Sequence, residues 1–183
     1  MVSLHDFPDR GLDVLAARAW ARRLYPDLCV VDPVAEGLWA ALGAPTLQRS
    51  RALRRLCERE ALLERSIAGY WSQEPHGGIL ELGGGLSTRL LSLAHRTRRR
   101  SRLVAVEAPE VSRARAWLFS SDAVAEQGFE GYRRYVVPAG KFLVLLPSRT
   151  EPWVAEYVRE IVPRFEAARL VPTPRPTAAA LRG

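Results

Sequence analysis

The most constraining feature of the sequence is an alternation of apolar runs around three consecutive glycines. Ile79–Leu82 has the length and composition of a short buried strand, and Gly83–Gly85 follows it at once. An amphipathic helix is predicted from about Ser87 to Ala94, a second strand at Leu103–Val106, and a further helix that starts at Pro109. Strand, turn, helix and strand in this order predict a βαβ unit, and therefore a parallel sheet with helices packed over it.

Three helices are predicted before this unit. The first covers residues 9–24, where apolar residues recur at helical spacing. The second begins at Asp32–Pro33, an N-cap followed by a proline in the first helical position, and stops at Gly43. The third covers about residues 48–71. We therefore expect an N-terminal helical segment over residues 1–75.

The second half carries weaker patterns. Residues 135–137 are a candidate third strand, and residues 142–146 form an apolar run typical of a strand buried on both faces. A helix with an apolar stripe from Val154 to Phe165 and a last strand at residues 169–171 complete the sheet-forming region, residues 76–171. A proline-rich tail, residues 172–183, lacks periodicity. The expected fold class is α/β, a Rossmann-like but incomplete sheet preceded by helices, all in one globular unit.

Composition narrows the class of protein. With 183 residues, 48% of them hydrophobic and 26% charged, the chain fits one globular domain. No apolar stretch reaches the length of a membrane span, and the N-terminus lacks the pattern of a signal peptide. Cys29 and Cys57 are too few for a disulfide framework or a zinc site, and no acidic residues have metal-ligand spacing. These features predict a cytoplasmic protein without a membrane partner or a metal.

The net charge of +7 raises the alternative of a nucleic-acid-binding protein. The basic residues are arginines, apart from Lys141, and residues 95–102 form a basic run. No aromatic residues are interleaved in that run for base stacking, so a solvated loop is favoured over a phosphate-binding one. A non-catalytic α/β module that binds a partner protein or nucleic acid through arginines remains the alternative function.

The glycines indicate a nucleotide-type ligand. A strand that ends in glycines and runs into a helix lets a ligand approach the backbone and the free N–H groups of the helix. The dinucleotide pattern requires a further glycine where this chain has Thr88, which disfavours a dehydrogenase. The pattern of Glu81, Gly83 and Gly85 is similar to the turn of class I S-adenosylmethionine (SAM) methyltransferases. Glu107, at the end of the second strand, is placed to accept hydrogen bonds from ribose hydroxyls.

Four segments resemble, in order, those of the leucine carboxyl methyltransferase family, which includes tetracenomycin-type polyketide O-methyltransferases. They are Pro26-Asp27 with Asp32-Pro33-Val34-Ala35; Arg59 with Glu64; Leu82-Gly83 with Gly85-Leu86-Ser87-Thr88-Arg89; and Val106-Glu107-Ala108-Pro109-Glu110-Val111. Ser87 stands where the family usually has Asp, and the chain after the second strand is shorter than in family members. No adenine-side acid is recognisable near residues 137–140.

The resemblance implies a SAM-dependent O-methyltransferase that acts on a small-molecule hydroxyl or carboxyl group. Gly83, Gly84 and Gly85 would face the methionyl part and ribose of SAM, Glu107 would hold the ribose hydroxyls, and Arg59 would pair with the SAM carboxylate. Glu81, the acid of the turn, belongs to the same cofactor site. An active enzyme and a degenerate SAM-binding remnant both remain open, and no catalytic residue is assigned. His76 and His95 are predicted to be surface histidines rather than bases.

Overall fold

Five parallel strands form one sheet in the order β3-β2-β1-β4-β5. The computed structural model describes residues 9–97, 102–119, 124–129, 139–147, 151–165 and 167–172. The strands are β1 (Gly78–Leu82), β2 (Leu103–Glu107), β3 (Ala125–Gly128), β4 (Lys141–Leu146) and β5 (Ala167–Pro172). Since the chain moves outward on one side of β1 and then returns to add β4 and β5 on the other, the sheet has Rossmann-type topology, and the predicted α/β class is confirmed.

Six helices surround the sheet in the described part of the chain. They are α1 (Asp9–Leu24), α2 (Pro33–Ala41), α3 (Arg51–Gln73), α4 (Arg89–Thr97), α5 (Pro109–Phe119) and α6 (Pro152–Glu160). The predicted cap of α2 is confirmed, because the Asp32 side chain accepts a hydrogen bond from the Ala35 N–H at 2.9 Å. Ser50 caps α3 in the same way, through the Leu53 N–H, and sets its first turn.

Apolar side chains cover both faces of the sheet. On one face, the apolar stripes of α3 and α4 pack against buried side chains of β1, β2 and β4 that point to that face. On the other face, α6 packs against the alternate residues of the same strands. Every residue of β1 is buried, as expected for a central strand of a parallel sheet.

The N-terminal helices pack on the core through two further apolar clusters. One of them brings Trp20 of α1 and Trp39 of α2 against Leu86, which lies in the turn between β1 and α4. The other joins α1 to α3 around Cys57. The segment that connects β1 to α4 is therefore packed, through Leu86, against the N-terminal helices.

Two predictions for the second half differ from the structure. The third strand is β3, four residues whose sequence Ala-Glu-Gln-Gly has no apolar run, and residues 135–137 lie outside the described residues. The predicted apolar stripe that ends at Phe165 is not one helix. Helix α6 ends at Glu160 and a 3-10 turn covers Val162–Arg164, because Pro163 has no N–H to continue the α-helical pattern.

Among the residues that the structure describes, no helix is long and apolar enough to cross a membrane.

The two cysteines differ in exposure and provide a test of how α1 packs on α3. Cys29 is exposed, whereas Cys57 is fully buried and its thiol lies 3.4 Å from the Ala17 carbonyl oxygen. Burial, with a smaller contribution from the charge of Glu60, raises the pKa of Cys57 to about 12. Because the thiolate is the reactive form, we expect a thiol reagent at pH 8 to label one cysteine in the native protein and two in denaturant.

Replacing Cys29 by Ser is the matched control, and it should abolish labelling of the native protein. Rapid native labelling of the Cys29→Ser variant would contradict this packing of α1 on α3.

Candidate functional site

The carboxyl ends of the parallel strands form the edge where ligands of such sheets bind, at the point where the strand order reverses. Here that point lies between β1 and β4, because β2 and β4 pair with opposite sides of β1. The predicted glycine turn follows β1 directly and therefore lies at this reversal point. Glu107 ends the neighbouring strand β2, so the turn and this acid share one edge of the sheet.

Left-handed backbone at two glycines shapes the turn. Gly83 has φ 58° and Gly85 has φ 59°, conformations that cost little only for glycine. The Gly83 N–H donates to the Val106 carbonyl at 2.9 Å, which fastens the turn to β2. A side chain at Gly83 would also meet Pro147, after β4, at 3.3 Å. The backbone of the turn is therefore fixed between β2 and the segment that follows β4.

Glu107 is in direct contact with the turn. Its Oε1 accepts a hydrogen bond from the Gly85 N–H at 3.0 Å, and the residue is 3% exposed. From the other side, the guanidinium of Arg115 on α5 donates to the carbonyl oxygens of Gly85 at 2.5 Å and Ser87 at 2.9 Å. The predicted ribose acid and the predicted glycines are thus brought together.

Glu81 points into an ion pair. One of its carboxylate oxygens accepts from the guanidinium of Arg89, the first residue of α4. Its other oxygen, Oε2, is buried and has no hydrogen-bond partner among the described residues. The carboxyl carbon of Glu81 would lie 2.7 Å from a side chain added at Gly84, so the acid lies directly beneath the turn.

Arg89 belongs to a larger buried network that sequence reasoning missed. Its second terminal nitrogen donates to Glu60 of α3, and Glu60 also accepts from Arg18 of α1 at 3.0 Å. Arg18 is fully buried and further binds Asp32 at 2.5 Å and Glu64 at 2.7 Å. The network therefore runs from the N-terminal helices to the end of β1.

Arg59, the predicted partner of the SAM carboxylate, lies at the border of this network. Its side chain is 13% exposed, and its Nε is 3.9 Å from Glu60 Oε1. The positive charge of Arg59 acts on Glu60 together with Arg89 and Arg18. Arg59 and Arg89 thus both lie next to the carboxylate of Glu60.

An aromatic group also borders the edge and was not predicted. Phe129, directly after β3, contacts Trp153 with ring centroids 5.9 Å apart and Tyr157 with centroids 5.4 Å apart. The Phe129 N–H donates to the Glu107 carbonyl at 2.8 Å, and Trp153 would lie 3.6 Å from a side chain at Gly83. The sequence did not predict this contact, because Phe129 and the two residues of α6 are brought together only by the order of the strands.

The two histidines within the described residues lie away from this edge. His76 precedes β1, and His95 is in the last turn of α4, which runs back from the carboxyl edge. Both are exposed, as predicted. Half of the basic run at 95–102, residues 98–101 with Arg98, Arg99 and Arg100, lies outside the described residues.

A separate groove of about 290 Å³ lies between α2, α4 and α5. Its lining is apolar apart from His95, and none of it belongs to the glycine turn or to Glu107. The described residues contain no cluster of His, Cys, Asp and Glu side chains that could hold a metal ion.

No protein-family model matches the chain, and no curated protein matches it. Among solved structures, the chain is similar to LepI in complex with SAM, with a TM-score of 0.43 and 17% sequence identity. The match covers 88% of this chain and 51% of that one, so the chain spans about half the length of LepI.

The charge of Glu60 makes stability depend on pH. Burial alone would raise the pKa of Glu60, but the attraction of Arg89, Arg18 and Arg59 outweighs it, and the net pKa is lowered. A lowered folded pKa stabilises the fold above the unfolded value, about 4.3, and that contribution is lost as pH falls through the folded pKa. We expect Glu60→Gln to cost about 3–5 kcal/mol at pH 7 and to weaken the acid dependence of unfolding below pH 4.3.

Urea unfolding between pH 7 and pH 3 measures this effect. Glu58→Gln is the control, because Glu58 lies on the same helix but its side chain is 48% exposed. An identical pH dependence for wild type and Glu60→Gln would refute the assigned role of this carboxylate.

Proposed function

We propose that the chain binds SAM at the carboxyl edge of the sheet and serves as a SAM-dependent methyltransferase. The observation that carries this proposal is the contact between the glycine turn and Glu107, with 3.0 Å between Gly85 N and Glu107 Oε1 at the reversal point of the sheet. A side-chain-free turn beside a strand-end acid is the arrangement that parallel sheets use to bind the ribose of a nucleotide-like ligand.

The residues present fit such a ligand. SAM carries hydrogen-bond donors on its ribose and its amino group, and the turn is bordered by two buried carboxylates, Glu81 and Glu107. The unpartnered Oε2 of Glu81 is an acceptor that a donor-bearing ligand would satisfy, since a buried acceptor left unpaired is costly. Gly83 and Gly85 keep their left-handed backbone without strain, so the turn presents backbone and not side chains.

The roles follow from these positions. Glu107 would accept from the ribose hydroxyls, and a carboxylate has enough lone pairs to do so while it holds the Gly85 amide. Gly83, Gly84 and Gly85 would contact the ribose and the methionyl part through their backbone. Arg59 would pair with the carboxylate of the ligand, which suits a guanidinium.

SAM supplies an activated methyl group when bound, so the protein mainly has to align an acceptor and exclude water. The aromatic side chains of Phe129, Trp153 and Tyr157 border the edge and would shield it from solvent. We propose a small-molecule hydroxyl or carboxyl group as the acceptor, in line with the family resemblance. A carboxylate acceptor requires no general base, whereas a hydroxyl does.

Calorimetric titration of the purified protein with SAM tests the proposal. We expect saturable binding, and we expect Glu107→Gln to weaken it about 10-fold or more, because hydrogen bonds to a charged acceptor contribute about 1.5–3 kcal/mol. Glu110→Gln removes the same charge from an exposed position three residues further along the chain and should bind like wild type.

A folded wild-type protein that shows no binding at about 1 mM SAM would reject the proposed function. Equal losses in the Glu107→Gln and Glu110→Gln variants would instead show that the acid at the end of β2 is not at the binding site.

A further inference from the structure

Arg89 joins the end of β1 to the N-terminal helices through one side chain. It begins α4 directly after the glycine turn and is 3% exposed. One terminal nitrogen donates to Glu81, and the other donates to Glu60 of α3 at 2.5 Å. Glu81 lies beneath Gly84, so this guanidinium holds the base of the turn against α3.

Two neighbours of Arg89 make parallel contacts with the same helices. The Thr88 hydroxyl donates to Asp32 at the N-terminus of α2, at 2.7 Å. Leu86 is 2% exposed and packs in the apolar cluster of Trp20 and Trp39. The helix side of the turn is therefore attached to α1, α2 and α3, while Arg115 and Glu107 hold its other side.

We propose that Arg89 is a positioning residue, through which helices α1 to α3 hold the glycine turn in the geometry that binds the adenosyl ligand. This inference rests on the proposed function for the identity of the ligand. A glycine turn has more backbone freedom than any other segment, so its amides bind tightly only if the surrounding structure has already ordered them. Through Arg89 the N-terminal helices then influence ligand affinity, although Arg89 itself does not contact the ligand.

An arginine is required for this task. Glu60 and Glu81 are both buried and would repel each other, and a planar guanidinium places separate donors on each of them. A lysine retains the positive charge but is a point donor that does not hold two carboxylates in a fixed geometry. Arg89→Lys therefore separates the positioning role from the charge.

The test measures hydrogen exchange of the backbone amides of residues 83–87 in ligand-free protein, together with SAM affinity. For Arg89→Lys we expect exchange in the turn to be about 10-fold faster, with exchange in β4 unchanged, since local opening does not require global unfolding. The dissociation constant for SAM should rise about 10-fold, because the ligand then has to order the turn.

Leu53→Ala is the matched control, because Leu53 packs between α1 and α3 and is not part of the turn or the ion network. It removes packing between α1 and α3 but leaves Arg89 bound to Glu60 and Glu81. Exchange in the turn should therefore stay at the wild-type rate while these helices remain folded. Glu81→Gln is a second variant, which removes the negative charge that attracts Arg89 to the end of β1 and leaves Arg89 on Glu60. It should reproduce the faster exchange even if Arg89→Lys fails to fold.

Unchanged exchange in the turn of both Arg89→Lys and Glu81→Gln would overturn the positioning role. Faster exchange with unchanged SAM affinity would overturn the link to binding. If wild-type protein does not bind SAM at all, the proposed function fails, and the exchange rates alone decide whether Arg89 orders the turn.

Discussion

A network of largely buried ion pairs constrains the region around the glycine turn. Within the described residues, four guanidinium groups and four carboxylates meet between the N-terminal helices and the end of β1: Arg18, Arg59, Arg89, Arg96, Asp32, Glu60, Glu64 and Glu81. The signs balance, and removal of a fully buried member such as Arg18 or Glu60 leaves a charge that burial makes costly. An apolar cluster of equal volume could stabilise the fold as well, so the network contributes chiefly to geometry. It joins α1 and α3 to the turn in the arrangement that the structure shows.

That arrangement reaches the carboxyl edge of the sheet through backbone and side-chain hydrogen bonds. The turn is attached to β2 by Gly83 and Glu107, to α5 by Arg115, and to the N-terminal helices by Thr88 and Arg89. Because Glu107 already accepts from the Gly85 amide, its carboxylate is oriented before any ligand arrives. Preorganisation of this kind lowers the conformational entropy that is lost when a ligand binds. A short glycine turn has no side chains to order it, so it depends on such contacts with its neighbours.

Local patterns were sufficient to predict most elements, because apolar periodicity, capping residues and glycines act within a few residues of one another. They failed at β3, an edge strand whose Ala125 and Gly128 are exposed and which is defined by its register with β2. The glycine turn was predictable from sequence for the same local reason. The contacts of Arg89 were not, since Glu60 lies 29 residues away and an ion pair leaves no periodic trace. The cofactor roles of Arg59, Glu81 and Glu107 stay predictions.

The arginine-rich composition has a different meaning once the structure is known. From sequence alone, the basic run at residues 95–102 is predicted to be a solvated loop, and the arginines elsewhere have no assigned partners apart from the proposed role of Arg59. Yet Arg18, Arg89 and Arg115 are each at most 3% exposed. Arg18 donates to three carboxylates, Arg89 to two, and Arg115 to two carbonyl oxygens. The contacts of Arg18 and of Arg89 use several different nitrogens of one guanidinium, which an ammonium lacks. Part of the positive charge that suggested a nucleic-acid partner is therefore inside the protein, where it holds the glycine turn to its neighbours.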